Sequence, residues 1–549
     1  MSKKLSRREM LRRTGQAAAF TALGFSLKSR AAQMLKSRSQ KGAIIGEEIG
    51  AKVGERILAE GGNAIDAAVA AALMSCVATP SRCGIGGYGG HMTLALKGGR
   101  KVTSIDFNTM APAAARPDMY PLDEQERVKD RKNFFGWLAV GVPGTLGGLQ
   151  LALQRYGTRN IRDLLQPAIE AAENGVVVTE LLQRAIRGAS PRFRNDPGSS
   201  KLYLKDGEPL PVGERLRNPD LAEVLSAFAE RNSFDSFYRG DIGQRLADEF
   251  KKKGGLVTAT DLANYHAREV EPLKMKWNEF SIFTAPLTAG GLTVLQALSV
   301  LKEINWGAMK DPLTSAHARL EAIRLAWKDR LTLFGDPEKV KVPVEHLLSA
   351  SYVRELGNKV HAAVKAKRPV EIQIRKHTDE GTNNISCVDA EGNMVAMTLT
   401  QGGAFGAQVT VDGLGLTLGH GMSRFDPRPD QPNAPAPGKR PLHNMCPSVV
   451  LREGKPLLAL GGAGGVRIPN AIYDVLGQFI ARGMSMEDAI ATPRIDCTGT
   501  LDVVAEPEIS KEVLRYLKEI GFNVQTGEAA RVSAVTHDAK TGEYRAAMR

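Results

Sequence analysis

The sequence predicts an α+β fold with helices layered on antiparallel sheets. Two patterns carry that reading. Up to residue 333, apolar residues recur at helical spacing in segments closed by Gly or Pro. From residue 382 onward, alternating runs joined by short turns read as hairpins. Composition fits a folded chain: of 549 residues, 43% are hydrophobic and 24% charged, which excludes disordered, fibrous and membrane-embedded classes. Five Cys without any C-x-x-C spacing exclude a disulfide scaffold and a zinc ribbon.

The net charge of +13 is unevenly placed. Residues 1–40 hold ten Lys/Arg and one acid, so nine of the thirteen charges sit there. The remaining body is nearly neutral and gives no reason to expect a nucleic-acid surface. Ser6-Arg7-Arg8-Glu9-Met10-Leu11-Arg12 reads as a twin-arginine motif, followed by the apolar stretch Thr14 to Leu27 and a weak cleavage site at Ser29-Arg30-Ala31. Residues 1–31 are therefore expected to be a signal peptide for twin-arginine export to the periplasm or beyond. No later segment has about 18 uninterrupted apolar residues, so no integral membrane segment is expected.

The elements follow in order. Val53 to Glu60 is a short amphipathic helix stopped by Gly61-Gly62. Ala64 to Ala78 is almost wholly small and apolar, which predicts a buried helix ended by Pro80. Gly84-Ile-Gly-Gly-Tyr-Gly89 fits G-x-G-x-x-G but follows a helix and precedes the strand Met92 to Leu96. A dinucleotide fingerprint needs the reverse context, so a tight backbone loop is expected. Asn160 to Gly175 has helical spacing, with Pro167 expected to kink or restart it. Residues 186–220, rich in Arg, Pro, Asp and Gly, read as a surface crossing. Gly290-Gly291 opens a helix over Thr293 to Leu301, and residues 315–333 form a longer one. Ile385 to Asp389 and Met394 to Thr400 make one hairpin around Ala390 to Asn393. Ser448 to Leu451 and Pro456 to Leu460 make a second, and Gly461 to Gly465 follows it. Residues 426–438 are a Pro-rich loop, and helices resume at Asn470 to Ala481 and Ser485 to Ala491.

The nine His show no H-E-x-x-H motif, and no G-x-S-x-G elbow precedes a helix. Zinc and classical serine hydrolase chemistry are weak readings. Thr382, which starts the first hairpin directly after Gly381, offers another route. A cut between them would give Thr382 both a hydroxyl nucleophile and a free α-amine as its base. Thr398 and Thr400 on the partner strand could hydrogen-bond that hydroxyl. Gly464 and Gly465 could present amides to an oxyanion.

Gly381-Thr-Asn-Asn-Ile-Ser386 with Gly392-Asn393 and Thr398-Leu-Thr400 resembles the processing site of γ-glutamyltranspeptidases, a family of N-terminal-nucleophile hydrolases. Further matches run in order from about residue 41 to the end. They include Glu60-Gly-Gly-Asn-Ala-Ile-Asp66, Gly141-Val-Pro-Gly-Thr145, Asp329-Arg330, Gly335-Asp336-Pro337, Lys439-Arg-Pro-Leu442 and Ala491-Thr-Pro-Arg494. The resemblance implies an αββα sandwich made as one proenzyme. It implies a large chain over 41–381 and a small chain over 382–549 that stay associated after self-cleavage. It implies no metal and no organic cofactor. The acyl group would ride on the Thr382 hydroxyl, with Thr400 supporting it and Gly464 and Gly465 as the oxyanion pair.

The residues that grip a glutamyl group in this family are replaced. Asn108 stands where the family has Arg, and Gly402 where it has Asn. Gly421 and Arg424 stand where it has a Gln or Glu and an Asp, and His443-Asn444 where it has Ser-Ser. Asn383 and Asn384 follow the nucleophile in place of Thr and His. A cation at Arg424 would repel a buried ammonium. The expected substrate is therefore a small-molecule amide whose acyl group lacks a free α-amine. Arg424 and His443 would take an anionic tail such as that of a dicarboxylic monoamide. The alternatives are a true γ-glutamyltransferase with a rearranged clamp and, from other classes, an unprocessed binding protein or an extracytoplasmic interaction protein. Cys76 and Cys83 flank the Pro80 turn and are close enough in sequence for a disulfide to be considered.

Overall fold

The alternating run after Thr382 forms the strand Asn383–Asp389, which pairs antiparallel with Met394–Thr400. This hairpin sits inside a six-stranded sheet. The order is Gly42–Ile45, Asn383–Asp389, Met394–Thr400, Gly89–Leu96, Lys101–Phe107, Arg268–Val270. The second predicted hairpin joins Ser448–Arg452 to Lys455–Ala463. Its two turn residues, Glu453 and Gly454, both have positive φ, as a type I′ turn requires. It belongs to a seven-stranded sheet: Gln33–Leu35, Glu543–Met548, Arg531–Asp538, Lys455–Ala463, Ser448–Arg452, Phe280–Thr284, Leu273–Trp277. The computed structural model describes residues 33–35, 41–372, 374 and 382–549. The leader and Gly381 lie outside the described residues.

The two sheets pack face to face. Alternation sends Val388, Met394 and Ala396 from one sheet against Val449, Ala459 and Val535 from the other. The outer face of the six-stranded sheet is covered by helices that include Glu48–Ala59, Ala64–Ala78 and Thr145–Tyr156. The outer face of the other sheet carries Gly291–Glu303, Pro312–Leu333 and Ile468–Ala481. The result is helix, sheet, sheet, helix. Every residue of Ala64–Ala78 is buried, which explains why its sequence has no polar face.

Several expectations need correction. The first helix spans Glu48–Ala59, because the Glu47 carboxylate caps the amides of Ile49 and Gly50 one turn earlier than the apolar pattern begins. Pro167 does not restart its helix, which runs unbroken over Ile161–Asn174. The buried stripe Leu164, Leu165, Ala168, Ile169 and Ala172 outweighs the lost hydrogen bond. Residues 186–220 are not a bare crossing. They finish the helix Glu180–Phe193 and add Pro197–Tyr203, started by the Asp196 cap with Pro at the first helical position. Phe193 and Tyr203 are buried there. The five Cys are buried free thiols, so Cys76 and Cys83 are not a disulfide.

One carboxylate ties the central hairpin to the buried helix. Asp389 Oδ2 accepts from the Ala64 amide at 2.9 Å and from Asn393 Nδ2 at 2.9 Å. Its Oδ1 accepts from the amides of Glu391 at 3.1 Å and Asn393 at 2.9 Å. Asp389→Ala strands these donors and should cost about 2–3 kcal/mol of stability. Denaturant or thermal unfolding checks this, and Asp389→Asn should lose less because it keeps an acceptor. An unchanged midpoint in the alanine variant would show that the tie carries no weight.

Candidate active site

The layer between the sheets changes character along its length. Beyond the apolar block around Val388 and Ala396, the same alternation places Ser386, Asn384, Thr398, His91 and Asp106 in it. These side chains are buried. Asn383 pairs with Leu399, so Thr382 stands beside Thr400 one step before the ladder begins. Thr382 is 6% exposed and Thr400 is 1% exposed. Thr400 Oγ1 accepts from the Gly402 amide at 2.8 Å and shares a hydrogen bond with the Tyr88 hydroxyl. Thr398 differs from expectation. Its hydroxyl donates to Asn384 Oδ1 at 2.7 Å, and Asn384 Nδ2 in turn donates to Ser533 Oγ at 2.8 Å across the sheets. Thr398 therefore braces the strand next to Thr382 instead of reaching the Thr382 hydroxyl.

Gly464 and Gly465 lie where Lys455–Ala463 turns into the helix Ile468–Ala481. Gly464 has φ of 147°, and a Cβ there would meet Ala530 at 2.8 Å. Only glycine fits this approach. The amides sit near the helix N-terminus, where the peptide dipoles favour negative charge.

The recognition residues are sorted by the structure. Gly402, at φ 96°, has no room for a side chain, since a Cβ would strike the His420 ring at 2.3 Å. His420 fills that volume and is fixed by the Gly403 amide and the Ser423 hydroxyl. Asn108 is fully buried, and its Nδ2 donates to Thr288 Oγ1 at 2.8 Å and to the Pro441 carbonyl at 2.7 Å. It holds the segment leading to His443. His443 does not offer its ring to a ligand. Its Nδ1 accepts from the Met445 amide at 3.3 Å, and its Nε2 lies 2.8 Å from His91 Nδ1. His91 Nε2 is 3.3 Å from Asp106 Oδ1, a contact too poorly aligned to count as a hydrogen bond. Asp106 is held by Arg268 and Arg440.

Arg424 is 2% exposed in the turn Gly421–Arg424. Together with Arg330 and Asn444 it lines a cavity of about 80 Å³ walled by Trp327, Phe334 and Leu442. Sequence reasoning missed Tyr88, His91, Asp106 and Arg330 as site residues. Tyr88 was hidden in a loop read only for its glycines. Arg330 stood in a recognised Asp-Arg motif to which no role was attached. His91 and Asp106 were detectable only through strand pairing.

Burial governs the electrostatics. It pushes His91 down to about 4, against the pull of Asp106. It also pushes His443 well below its ordinary value, helped by neighbouring His91. His420 falls to about 4 by burial alone in the main. Burial would raise Asp106, but Arg440, His91 and Arg268 outweigh it and hold the carboxyl below the usual range. Among the described residues, no group of three or more His, Cys, Asp or Glu is placed to hold a metal ion.

A family model described as gamma-glutamyltranspeptidase matches residues 50–548. The chain belongs to the gamma-glutamyltranspeptidase family. It is 35% identical over 484 residues to a glutathione hydrolase proenzyme of Escherichia coli strain K12, covering 85% of this chain and 82% of that one. It is 35% identical over 467 residues to the acylase ACY 1 proenzyme of Pseudomonas sp. strain V22, covering 84% and 83%. A solved cephalosporin acylase from Bacillus halodurans superimposes with a TM-score of 0.83 at 27% identity, over 94% of this chain and 95% of that one. The layers are thus the αββα sandwich of N-terminal-nucleophile hydrolases, and the protein is a hydrolase or acylase of this family. No helix among the described residues is long and apolar enough to cross a membrane.

The buried neutral histidines have a consequence for pH. An imidazole whose folded pKa is about 4 stabilises the fold fully above about pH 6.5. That contribution is lost as the pH falls toward 4, because the unfolded chain takes up the proton first. Between pH 7 and 5 the parent should therefore lose more stability than His420→Gln, measured by denaturant unfolding. Equal losses would contradict neutral burial of His420.

Proposed function

We propose that the protein is an amide hydrolase or acyltransferase that cuts itself before Thr382 and acts on acyl groups lacking a free α-amine. The observation that carries this reading is the placement of Thr382 next to Thr400 at the polar end of the inter-sheet layer, with the buried Arg424 near Tyr88, the hydrogen-bond partner of Thr400. In self-cleavage, Thr382 Oγ attacks the Gly381 carbonyl and the peptide nitrogen departs as the new α-amine. Water then hydrolyses the ester and frees the carboxylate of Gly381. The mature chains would comprise a large chain ending at Gly381 and a 168-residue small chain.

In turnover, the α-amine of Thr382 takes the hydroxyl proton as Oγ attacks the substrate carbonyl. Gly464 and Gly465 face the developing oxyanion. Thr400, held by Tyr88 and the Gly402 amide, keeps the Thr382 hydroxyl oriented. The leaving amine takes the proton back, and water or an amine resolves the ester. Arg424 faces the acyl group and rejects an ammonium. An anionic tail is favoured there instead. The leader reading adds twin-arginine export to the periplasm or beyond.

A second reading is a true glutathione hydrolase with a rearranged clamp. It draws on the Escherichia coli relative, which is as similar as the acylase. Two measurements separate the readings. Intact mass and N-terminal sequencing should find a small chain that starts at Thr382, absent in Thr382→Ala. An uncut parent chain would sink the nucleophile assignment. Glutaryl anilide should then be cleaved at least about 100-fold faster than γ-glutamyl anilide. Comparable rates would favour the second reading.

A further inference from the structure

We infer that Arg330, positioned by the His443–His91 pair, is the residue that binds the distal carboxylate of a dicarboxylic monoamide substrate. This rests on the proposed acyl chemistry and names its recognition element.

Arg330 is 4% exposed, yet no carboxylate among the described residues lies within ion-pair distance of it. Its Nη2 donates to the His443 carbonyl at 2.7 Å and to Asn444 Oδ1 at 3.1 Å. Its buried Nη1 has no partner. A buried guanidinium is costly unless an anion answers it. Neighbouring Asp329 does not, because its carboxylate is taken by Gln296, Tyr352 and Lys328. Arg424 lines the same cavity. Asp426, the cavity's own acid, is engaged by Arg428. A buried guanidinium with an unused donor at a cavity of about 80 Å³ describes a receptor for a short carboxylate tail. Asn444 and the apolar walls fit a tail with a few methylenes.

The histidine chain explains how Arg330 is aimed. His443 Nδ1 accepts from a backbone amide, so its proton is on Nε2 and is donated to His91 Nδ1. The His91 proton is then on Nε2, facing Asp106. Both rings are neutral and both His443 nitrogens are occupied. The chain fixes the His443 carbonyl and the adjoining Asn444, which together hold the guanidinium. His443 is thus a positioning residue, and the tail-binding role expected of it passes to Arg330.

The test compares glutaryl anilide with the neutral valeryl anilide, in the parent, Arg330→Gln and Arg330→Lys. Arg330→Gln should lower the glutaryl-to-valeryl ratio of kcat/KM about 30- to 100-fold, with the loss appearing in KM for the glutaryl substrate. Arg330→Lys should restore part of the glutaryl preference. Equal losses on both substrates, or no change on either, would overturn the inference. Binding of glutarate by calorimetry gives a readout that needs no turnover. It should weaken at least tenfold in Arg330→Lys, and unchanged affinity counts against the inference. If γ-glutamyl and glutaryl anilides are cleaved alike, the missing-amine reading fails, while the glutaryl-to-valeryl ratio still decides Arg330. If no amide is cleaved, the enzymatic reading fails, and glutarate binding still decides Arg330.

Discussion

Asn383 lies opposite Leu399 and Val388 opposite Met394, and this register governs the rest of the molecule. Side chains alternate across a strand, so a slip of one residue would turn Asn384, Thr398 and Thr400 out of the inter-sheet layer. It would put Ile385, Met397 and Leu399 in their place. Two constraints prevent the slip. Val388 and Ala396 must meet Val449, Ala459 and Val535 across the sandwich. Asp389 must meet the first amide of the buried helix. Packing at the apolar end therefore sets the position of the polar end, where Thr382 begins.

The polar end is an unusual interior. It holds Arg330, Arg424 and Arg440 with the carboxylate of Asp106 and two histidines, all nearly inaccessible to water. Asp106 answers Arg440 and Arg268 directly. The histidines stay neutral and so add no charge while carrying directional hydrogen bonds. Arg330 lines a cavity together with Arg424, and among the described residues no carboxylate stands at ion-pair distance from Arg330. Interiors tolerate such an arrangement when a ligand completes it, and a carboxylate does so with the fewest atoms.

The fold was legible in sequence wherever one physical signal dominated. The helix Ala64–Ala78 and both hairpins were readable because small-residue runs and alternation leave little choice. The span 186–220 was misread because Arg, Pro and Gly masked an Asp-Pro helix start, and Pro167 because tertiary packing overrode propensity. At the site, the hairpin order put Thr382 and Thr400 in view, as did the glycine pair at the end of Lys455–Ala463. The Arg424 charge reversal was also visible. Tyr88, His91 and Asp106 were not, since each acts through a strand or loop distant in sequence. His443 was seen but given the wrong task, because a sequence does not show that both its nitrogens are already used.

On the proposed reading, the chemistry and the recognition are built from different materials. The nucleophile, its amine and the oxyanion amides belong to backbone features: a strand start and a glycine turn at a helix N-terminus. They need the sandwich but few particular side chains. Recognition rests on side chains of the turn Gly421–Arg424, the His443–Asn444 segment and the helix Pro312–Leu333. Those side chains can exchange an acid for a base without moving the strands. The same scaffold can therefore keep one bond-breaking step while its acyl pocket changes sign. This accounts for a chain that is equally similar to a glutathione hydrolase and to an acylase. Arg330 marks the limit of that freedom. Its guanidinium is tied to the His443 carbonyl, and the His443 ring is tied to His91 of the six-stranded sheet. Changing the tail it accepts would mean rebuilding part of the layer that also positions Thr382.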